Sequence, residues 1–514
     1  MDCTNIGALS FFNREFARKR HAVPVSENGQ NLVVFTSLTD FSALRDDLSF
    51  LWGRPVEIIH MPDDEIELKI AMYFDEALTA ESGQSEQENL TTFQHQNAIS
   101  FNESRPGGAS ASTVDFVDAM ISRAVNQRAS DIHVEVYEKS FRVRFRIDGV
   151  LQEVEHFRAQ VRQRQAIISR LKIMADLDIA EKRRPQDGRI RVEQGDRRID
   201  IRVSTLPSSF GEKVVLRVLD KSQLRLDFAN IGISGGLLSI YKEAISASHG
   251  IVLVTGLTGS GKTTTLYATL NHLNSPEINI LTIEDPVEYN LDGINQSQVK
   301  PEIDYTFANA LRAFLRQDPD VIMVGEIRDE ETAEIAVRAA LTGHLVFSTL
   351  HTNDAVSTLT RLLDMGVEPY LIASSVRMIV AQRLLRRLCR RCKQEVDLTD
   401  SQSPQEILVS DDESRDFTDL AALGIKASEL NGEAQIYKNA GCEQCSQTGY
   451  SGRRAVYEML PITPQMTELI ANHVGEEALR SQPKKQGMRT LREAATALFL
   501  SGETAFSEVL RTTN

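Results

Sequence analysis

Gly250-Ile-Val-Leu-Val-Thr255 runs without a break into Gly256-Leu-Thr-Gly-Ser-Gly-Lys-Thr263, and Thr264–Leu273 then shows the apolar spacing of a helix. A short apolar run rich in β-branched residues reads as a buried strand. Glycines at 256, 259 and 261 let the backbone curl so that successive N–H groups point at one spot, backed by the positive end of the helix that follows. Lys262 adds a point charge for β and γ phosphate oxygens, and the Thr263 hydroxyl suits Mg²⁺. Strand, G-x-x-x-x-G-K-T and helix in that order make a nucleotide-phosphate site of Gly256, Leu257, Thr258, Gly259, Ser260, Gly261, Lys262, Thr263 and Thr264. A chance Gly-rich turn is the bland alternative, and the full motif in its strand-to-helix setting argues against it.

Downstream, Ile278–Ile283 ends in Glu284-Asp285-Pro286-Val287-Glu288, and Val321–Val324 ends in Gly325-Glu326. Both runs place carboxylates where a parallel strand meets its C-terminal edge, the edge at which open α/β sheets bind ligands. A carboxylate there can hold Mg²⁺ or orient the water that attacks a γ-phosphate. Taken alone, a Glu after a strand is usually a solvated loop residue. Thr342-Gly343-His344 and Ser348-Thr349-Leu350-His351-Thr352 flank a further apolar strand, so His344 and His351 are candidates to sense the γ-phosphate or to serve as packed structural histidines.

The remainder of the 514 residues divides by composition. Residues 1–78 carry a strand-like run at Leu32–Thr36 and helix-like patterns at 39–51 and 63–78, a small α+β module. Residues 79–112 are rich in Ser, Gln, Asn, Glu and Gly, the composition of a flexible linker. A helical pattern at 113–128, then alternation at Ile132–Val136, Phe141–Ile147, Ile190–Val192, Ile199–Val203 and Val214–Val218, predict a second α+β domain over 113–235. Residues 236–388 alternate strand and helix patterns, the signature of a parallel sheet covered by helices. Asp131, His133 and Glu135 fall on one face of a strand, where a hydrogen-bond network outweighs a ligand set.

A net charge of −15 opposes a broad nucleic-acid surface, which relies on clustered Lys and Arg. The longest apolar stretches fall short of the roughly 18 residues that a membrane span needs, which predicts a cytoplasmic chain. Cys3 stands alone, while Cys389-Arg-Arg-Cys392 and Cys442-Glu-Gln-Cys445 supply four thiolates, enough to close a tetrahedral Zn²⁺ site that staples an inserted subdomain over 389–445. Free thiols or a redox pair are the alternative. Within that insert, residues 394–440 hold eleven Asp or Glu against three Lys or Arg, so any lipid contact falls to the cluster Arg383, Arg386, Arg387, Arg390, Arg391 and Lys393, read as a helix C-terminus. A C-terminal helical region is expected over 446–514.

Taken together, Gly256–Thr263, Thr282–Glu288, Asp318–Asp329 and Gly343–Asp354 resemble the Walker A, Asp-box, Walker B and His-box motifs of the secretion ATPase superfamily. The resemblance extends through Ala129–Glu135, Phe145–Gly149, Pro185–Arg189, Arg202–Thr205 and the cysteine pairs. Within the superfamily the chain is similar to the type II secretion assembly ATPases, the E proteins of the general secretory pathway, with type IV pilus extension ATPases as their near relatives. This resemblance implies an α/β, RecA-like P-loop core with a PAS-like α+β domain before it, and a homohexamer using ATP, Mg²⁺ and Zn²⁺. It implies that Glu288 is the general base, Glu326 the Walker B carboxylate, and Lys262 and Thr263 the phosphate and Mg²⁺ contacts. Arg202, Arg217, Arg312, Arg316 and Arg328 match arginines that approach the nucleotide or the active interface in such enzymes. Each could equally be a surface ion pair.

By the same resemblance, residues 1–78 dock on the cytoplasmic domain of a bitopic inner-membrane protein, the L protein, and the load is the polytopic F platform protein. The chain would then sit peripherally on the cytoplasmic face of the inner membrane. Pilus extension is the rival within the enzyme class. A nucleotide-gated scaffold without turnover is the rival outside it, and the presence of both Glu288 and Glu326 counts against that. A nucleic-acid translocase is disfavoured by the acidic balance and by the absence of an aromatic stacking pattern.

Overall fold

The computed structural model describes residues 113–157, 163–194, 197–220, 226–396 and 436–513, with 98–100 and parts of 17–66. The chain divides into two units, Met1–Gln223 and Leu224–Asn514.

In the first unit, Ala22–Asn28 (β1) and Asn31–Thr36 (β2) form an antiparallel hairpin, and Val56–His60 (β3) runs parallel to β2. The helical patterns at 39–51 and 63–78 and the linker at 79–112 fall mostly outside the described residues. One stretch of that linker departs from expectation. Ala98–Ser100 (β4) pairs in parallel with Arg191–Glu193, because an open ladder edge can recruit even three residues.

There follow Thr113–Asn126 (α1), Asp131–Val136 (β5), Phe141–Ile147 (β6), Val150–Glu153 (β7), Arg164–Met174 (α2), Gln186–Gln194 (β8), Arg197–Ser208 (β9) and Gly211–Asp220 (β10). The seven strands order as β4-β8-β9-β10-β5-β6-β7, antiparallel apart from β4. Alternation buries Ile132, Val134, Val143, Phe145, Ile201 and Leu216 with α1 and α2 on one face. The other face is charged. Glu135 takes Arg142 at 3.0 Å, Arg144 at 2.6 Å and Lys213 at 3.4 Å, while Asp131 pairs with Arg146 and Arg217, each at 3.4 Å. Burial alone would raise the Glu135 carboxyl, but the two arginines hold it down at about 2.

The second unit begins earlier than the sequence boundary at 236. Phe228, in a single helical turn, and Tyr241, in Gly235–Ile245 (α3), meet edge to face with centroids 5.6 Å apart and join the core under the second sheet. That sheet arises from Gly250–Thr255 (β11), Lys262–Leu273 (α4), Ile280–Glu284 (β12), Asn295–Gln298 (β13), Phe307–Phe314 (α5), Val321–Val324 (β14), Glu330–Leu341 (α6), Leu345–Leu350 (β15), Ala355–Asp364 (α7), Pro369–Ser375 (α8) and Val376–Leu388 (β16). Short strands Gln394–Glu395 (β17) and Tyr437–Lys438 (β18) pair beside the cysteines, and Tyr450–Pro461 (β19) returns to the main sheet.

The order is β13-β12-β14-β15-β11-β16-β19, with every pair parallel except β16 with β19. Strands β11, β12, β14 and β15 are buried at every position, because helices cover both faces and supply two cores.

Two expectations for the C-terminal third need correction. Residues 446–514 are not a separate helical region, since β19 is the edge strand of the core sheet. The helices Pro464–Ala471 (α9), Glu476–Lys485 (α10), Leu491–Leu500 (α11) and Phe506–Thr513 (α12) add residues to the same core. Glu458 of β19 ties them in: its buried carboxylate accepts the N–H groups of Ala355 and Leu491, the first residues of α7 and α11. The basic cluster lies along and after a strand, not at a helix end. Arg386 pairs with Glu508 at 2.9 Å and stacks on Tyr450 at 3.9 Å, Arg387 faces Glu503 at 3.8 Å, and Lys393 donates to the Gly502 carbonyl. Much of the charge offered to lipid is thus consumed inside the fold. Among the described residues no helix is long and apolar enough to cross a membrane.

Candidate nucleotide site and cysteine centre

The phosphate loop leaves the interior strand β11, which lies between β15 and β16. Gly256 has φ 151° and Gly261 φ 90°. A Cβ at 256 would lie 2.6 Å from the Gln382 carbonyl oxygen, so only glycine fits against β16 there. Leu257, Thr258 and Gly259 are exposed, as are Thr263 and Thr264 on the first turn of α4, whose N–H groups face the same opening. Ser260 Oγ is buried with no hydrogen-bond partner among the described residues. Lys262 is folded back, donating to the carbonyls of Gly256 at 2.7 Å and Leu257 at 3.3 Å. Burial pulls its ammonium down to about 8; nearby Glu326 opposes the shift and Arg383 adds to it. Exposed hydroxyls at a helix start, an unpartnered buried hydroxyl and a buried cation fit a Mg²⁺-bound phosphate chain.

The acidic strand ends diverge. Glu284, the last residue of β12, turns inward and accepts from Tyr267, from Thr282 at 2.6 Å and from Gln296 at 3.0 Å. It is 3% exposed, so its carboxylate braces α4 against the sheet. The Tyr267 hydroxyl in turn accepts from the N–H of Glu288 at 3.2 Å, which anchors the half-buried Glu288 on this brace. Asp285 and Glu326 meet through Arg328, which reaches Asp285 at 3.3 Å, pairs with one oxygen of Glu326 and lies 5.8 Å from the Phe307 ring centre. His351 approaches the other oxygen of Glu326 at 3.2 Å. Burial would raise the Glu326 carboxyl, but Arg328 and His351 hold it below its ordinary value.

The two histidines separate. His344 precedes β15, and its Nδ1 meets the Ala339 carbonyl at 2.8 Å, closing the end of α6. A six-residue strand of roughly 3.3 Å per residue stands between it and the phosphate edge, which excludes His344 as a phosphate sensor. Arg312 on α5 pairs with Glu331 at 2.6 Å, and Arg316, just beyond the end of α5, donates to the Arg312 carbonyl at 2.8 Å; both are exposed. Arg202 and Arg217 face each other across β9 and β10 in the first unit. Two residues of β16 touch the loop: Gln382, which the sequence did not single out, and Arg383, which it placed in the basic cluster and not at the phosphate site. Their signal was a polar pair interrupting the apolar run from Met378 to Leu385.

The four cysteine sulfurs lie within 4.8 Å of one another. Cys389 and Cys442 are 3.9 Å apart, Cys392 and Cys445 3.8 Å, and Cys442 and Cys445 3.7 Å. Four ligands at the ~2.3 Å of a metal–thiolate bond have tetrahedral edges of about 3.8 Å, so the cluster is sized for a metal ion. Burial raises the Cys445 thiol, but N–H donors from Cys442 and Gly449 outweigh it and bring it to about 7. Cys3 falls outside the described residues.

A model of the type II/IV secretion system proteins matches residues 108–511. The chain belongs to that family. A second family model, the MshEN domain, matches residues 6–80. Among the secretion proteins it resembles, the Type IV pilus assembly ATPase PilB of Myxococcus xanthus is 45% identical over 510 residues, covering 97% of this chain and 85% of that one. The Type II secretion system ATPase E of Vibrio cholerae is 48% identical over 403 residues, covering 78% of this chain and 76% of that one. In fold, the family member is similar to the ATPase DotB of Legionella pneumophila, with a TM-score of 0.56 and 21% identity over 81% of this chain and 99% of that one. The RecA-like core expected from the sequence is the fold the second unit has.

Proposed function

We propose that the chain is the ATP-hydrolysing motor of a type II secretion system, working as a homohexamer on the cytoplasmic face of the inner membrane. It is a secretion ATPase, converting ATP and water to ADP and phosphate. The observation that carries this reading is the gathering of the phosphate loop after β11 and of Glu326 after β14 at the same edge of the parallel sheet, on either side of β15. Lys262, the loop amides and Thr263 would hold the phosphates and Mg²⁺, and Glu326 the metal's water shell, while Glu288 positions the attacking water. Arg328 and His351 keep Glu326 ionised. Arg202 and Arg217, with Arg312 and Arg316, are proposed to stabilise the transferring phosphoryl group or the active interface. The four thiolates hold Zn²⁺, which supplies a structural staple and no chemistry.

Residues 1–78 are proposed to dock on the cytoplasmic domain of the L protein, with the F platform protein as the load. A second reading, type IV pilus assembly, is favoured by one observation: the match to the Myxococcus protein runs through the N-terminal region, covering 97% of the chain. Binding of the full-length chain to the L-protein cytoplasmic domain, lost when residues 1–78 are removed, supports type II secretion. Indifference to that domain together with tight binding to a pilus platform protein would reverse the order.

A further inference from the structure

The phosphate loop is held by strand β16 as well as by its own strand and helix. Successive side chains of a strand point to opposite faces, so Gln382 and Arg383 pass on either side of the emerging loop. Gln382 accepts from Thr265 Oγ1 at 2.7 Å, and its Nε2 packs 2.8 Å from where a Gly261 Cβ would stand. Arg383 is 8% exposed. One arm of its guanidinium donates to the Gln382 carbonyl at 3.1 Å and lies 3.1 Å from the Cβ position of Gly256. The other arm donates to the Asn353 carbonyl at 2.8 Å and lies 3.4 Å from the Asn353 side-chain oxygen. A buried guanidinium whose bonds run to two backbone carbonyls is a spacer between the segments that own them, since a planar fork fixes both directions at once.

Asn353 is not a dead end. Asp354 next to it caps α7 by accepting the Ser357 N–H at 2.8 Å, and accepts from Arg480 of α10 at 3.1 Å. Arg480 also reaches Ser357 Oγ at 3.0 Å and Glu476 at 2.6 Å. Glu458 ties the next residue, Ala355, to Leu491 of α11. On the phosphate side, Thr255 Oγ1 accepts the N–H of Thr352 at 3.1 Å. The segment Thr352–Ala355 is therefore latched at one end to Thr255, the last residue of β11 before the loop, and to two C-terminal helices at the other.

We propose that Arg383 is a positioning residue that couples occupancy of the phosphate loop to the Thr352–Ala355 segment and from there, through Asp354 and Arg480, to α10 and, through Ala355 and Glu458, to α11. The inference rests on the nucleotide reading of the loop. A phosphate chain seated at Gly256–Lys262 draws Lys262 off the Gly256 and Leu257 carbonyls, which frees the loop's first turn to settle against Arg383. The guanidinium then moves with it and carries Asn353.

The test is hydrogen exchange on the full-length chain, with and without Mg²⁺ and a non-hydrolysable ATP analogue, with analogue affinity measured on the same samples. Wild type is expected to gain protection at 256–265, 351–357 and 476–491. Arg383→Gln keeps protection at 256–265 and loses it at the other two segments, with analogue affinity within about tenfold of wild type. Arg383→Lys, which keeps charge but not the fork, behaves likewise. Distal protection retained in both variants overturns the proposal, as does wild type that binds the analogue without distal protection. Wild type that does not bind the analogue at all sinks the nucleotide reading instead. If Arg383→Gln loosens the second unit before ligand is added, Arg480→Gln decides: it should keep protection at 351–357 and lose it at 476–485, and retention at both overturns the relay.

Discussion

The chain builds two seven-stranded sheets and uses them in opposite ways. In the first unit the strands are mostly antiparallel, one face is packed under α1 and α2, and the polar face carries its charges in mutual ion pairs. In the second unit the strands are mostly parallel and both faces are covered, so most charge collects where strands end, with Arg383 inside β16 and Glu458 inside β19 as buried, hydrogen-bonded exceptions. Lys262, Glu326, Arg328 and His351 all sit at such ends. Covering both faces excludes water from the sheet and concentrates polar groups along one edge, which is where phosphate chemistry benefits from preorganised charge.

The sharpest test of this contrast is at that edge. Lys262→Ala and Glu326→Gln should each lower turnover at least about 100-fold, the loss typical of removing one electrostatic contact to a transition state, measured as steady-state phosphate release. Next in size, Cys445→Ser should abolish stoichiometric zinc, read by elemental analysis, and lower the thermal midpoint by several degrees as the staple goes. Glu458→Ala leaves the N–H groups of Ala355 and Leu491 buried without an acceptor, at about 1–3 kcal/mol each, read from urea unfolding of the second unit.

The charged face of the first sheet should respond to acid. Glu135 sits at about 2 in the folded chain against an ordinary 4.5, so it binds fewer protons folded than unfolded. Its stabilising contribution is fully present above 4.5 and is lost as pH falls towards 2. Glu135→Gln should flatten the stability of the first unit across that window, followed by near-ultraviolet circular dichroism. The smallest effect is expected at the far edge of the second sheet, where His344→Ala should leave turnover within about threefold of wild type, because the residue closes α6 and touches no phosphate.

The same contrast explains what the sequence disclosed. Alternation at 132–136 and 141–147 and unbroken apolar runs at 250–255 and 321–324 reported the two sheet types directly, because burial on one face or two leaves different periodicities. The phosphate loop was legible because glycine, lysine and threonine are each needed at a fixed place. Roles set by long-range contact were not. Glu284 and Glu326 both end strands, yet Glu284 turns in to Tyr267 and Glu326 faces the site. β16 read as a helix end because its partner β19 lies beyond the whole cysteine insert, and sequence distance hides such a pairing. Arg383 looked like one of six basic surface residues until Asn353 and Gly256 came to lie beside it.

The central claim, that one sheet edge performs phosphoryl transfer, is tested most directly by ATP hydrolysis of the full chain fused to a ring-forming protein, beside Lys262→Ala, Glu288→Gln, Glu326→Gln and His344→Ala. Turnover in wild type and His344→Ala, abolished in the other three, is the predicted result. Tight ATP binding without turnover in wild type, or equal losses at both edges of the sheet, would contradict it.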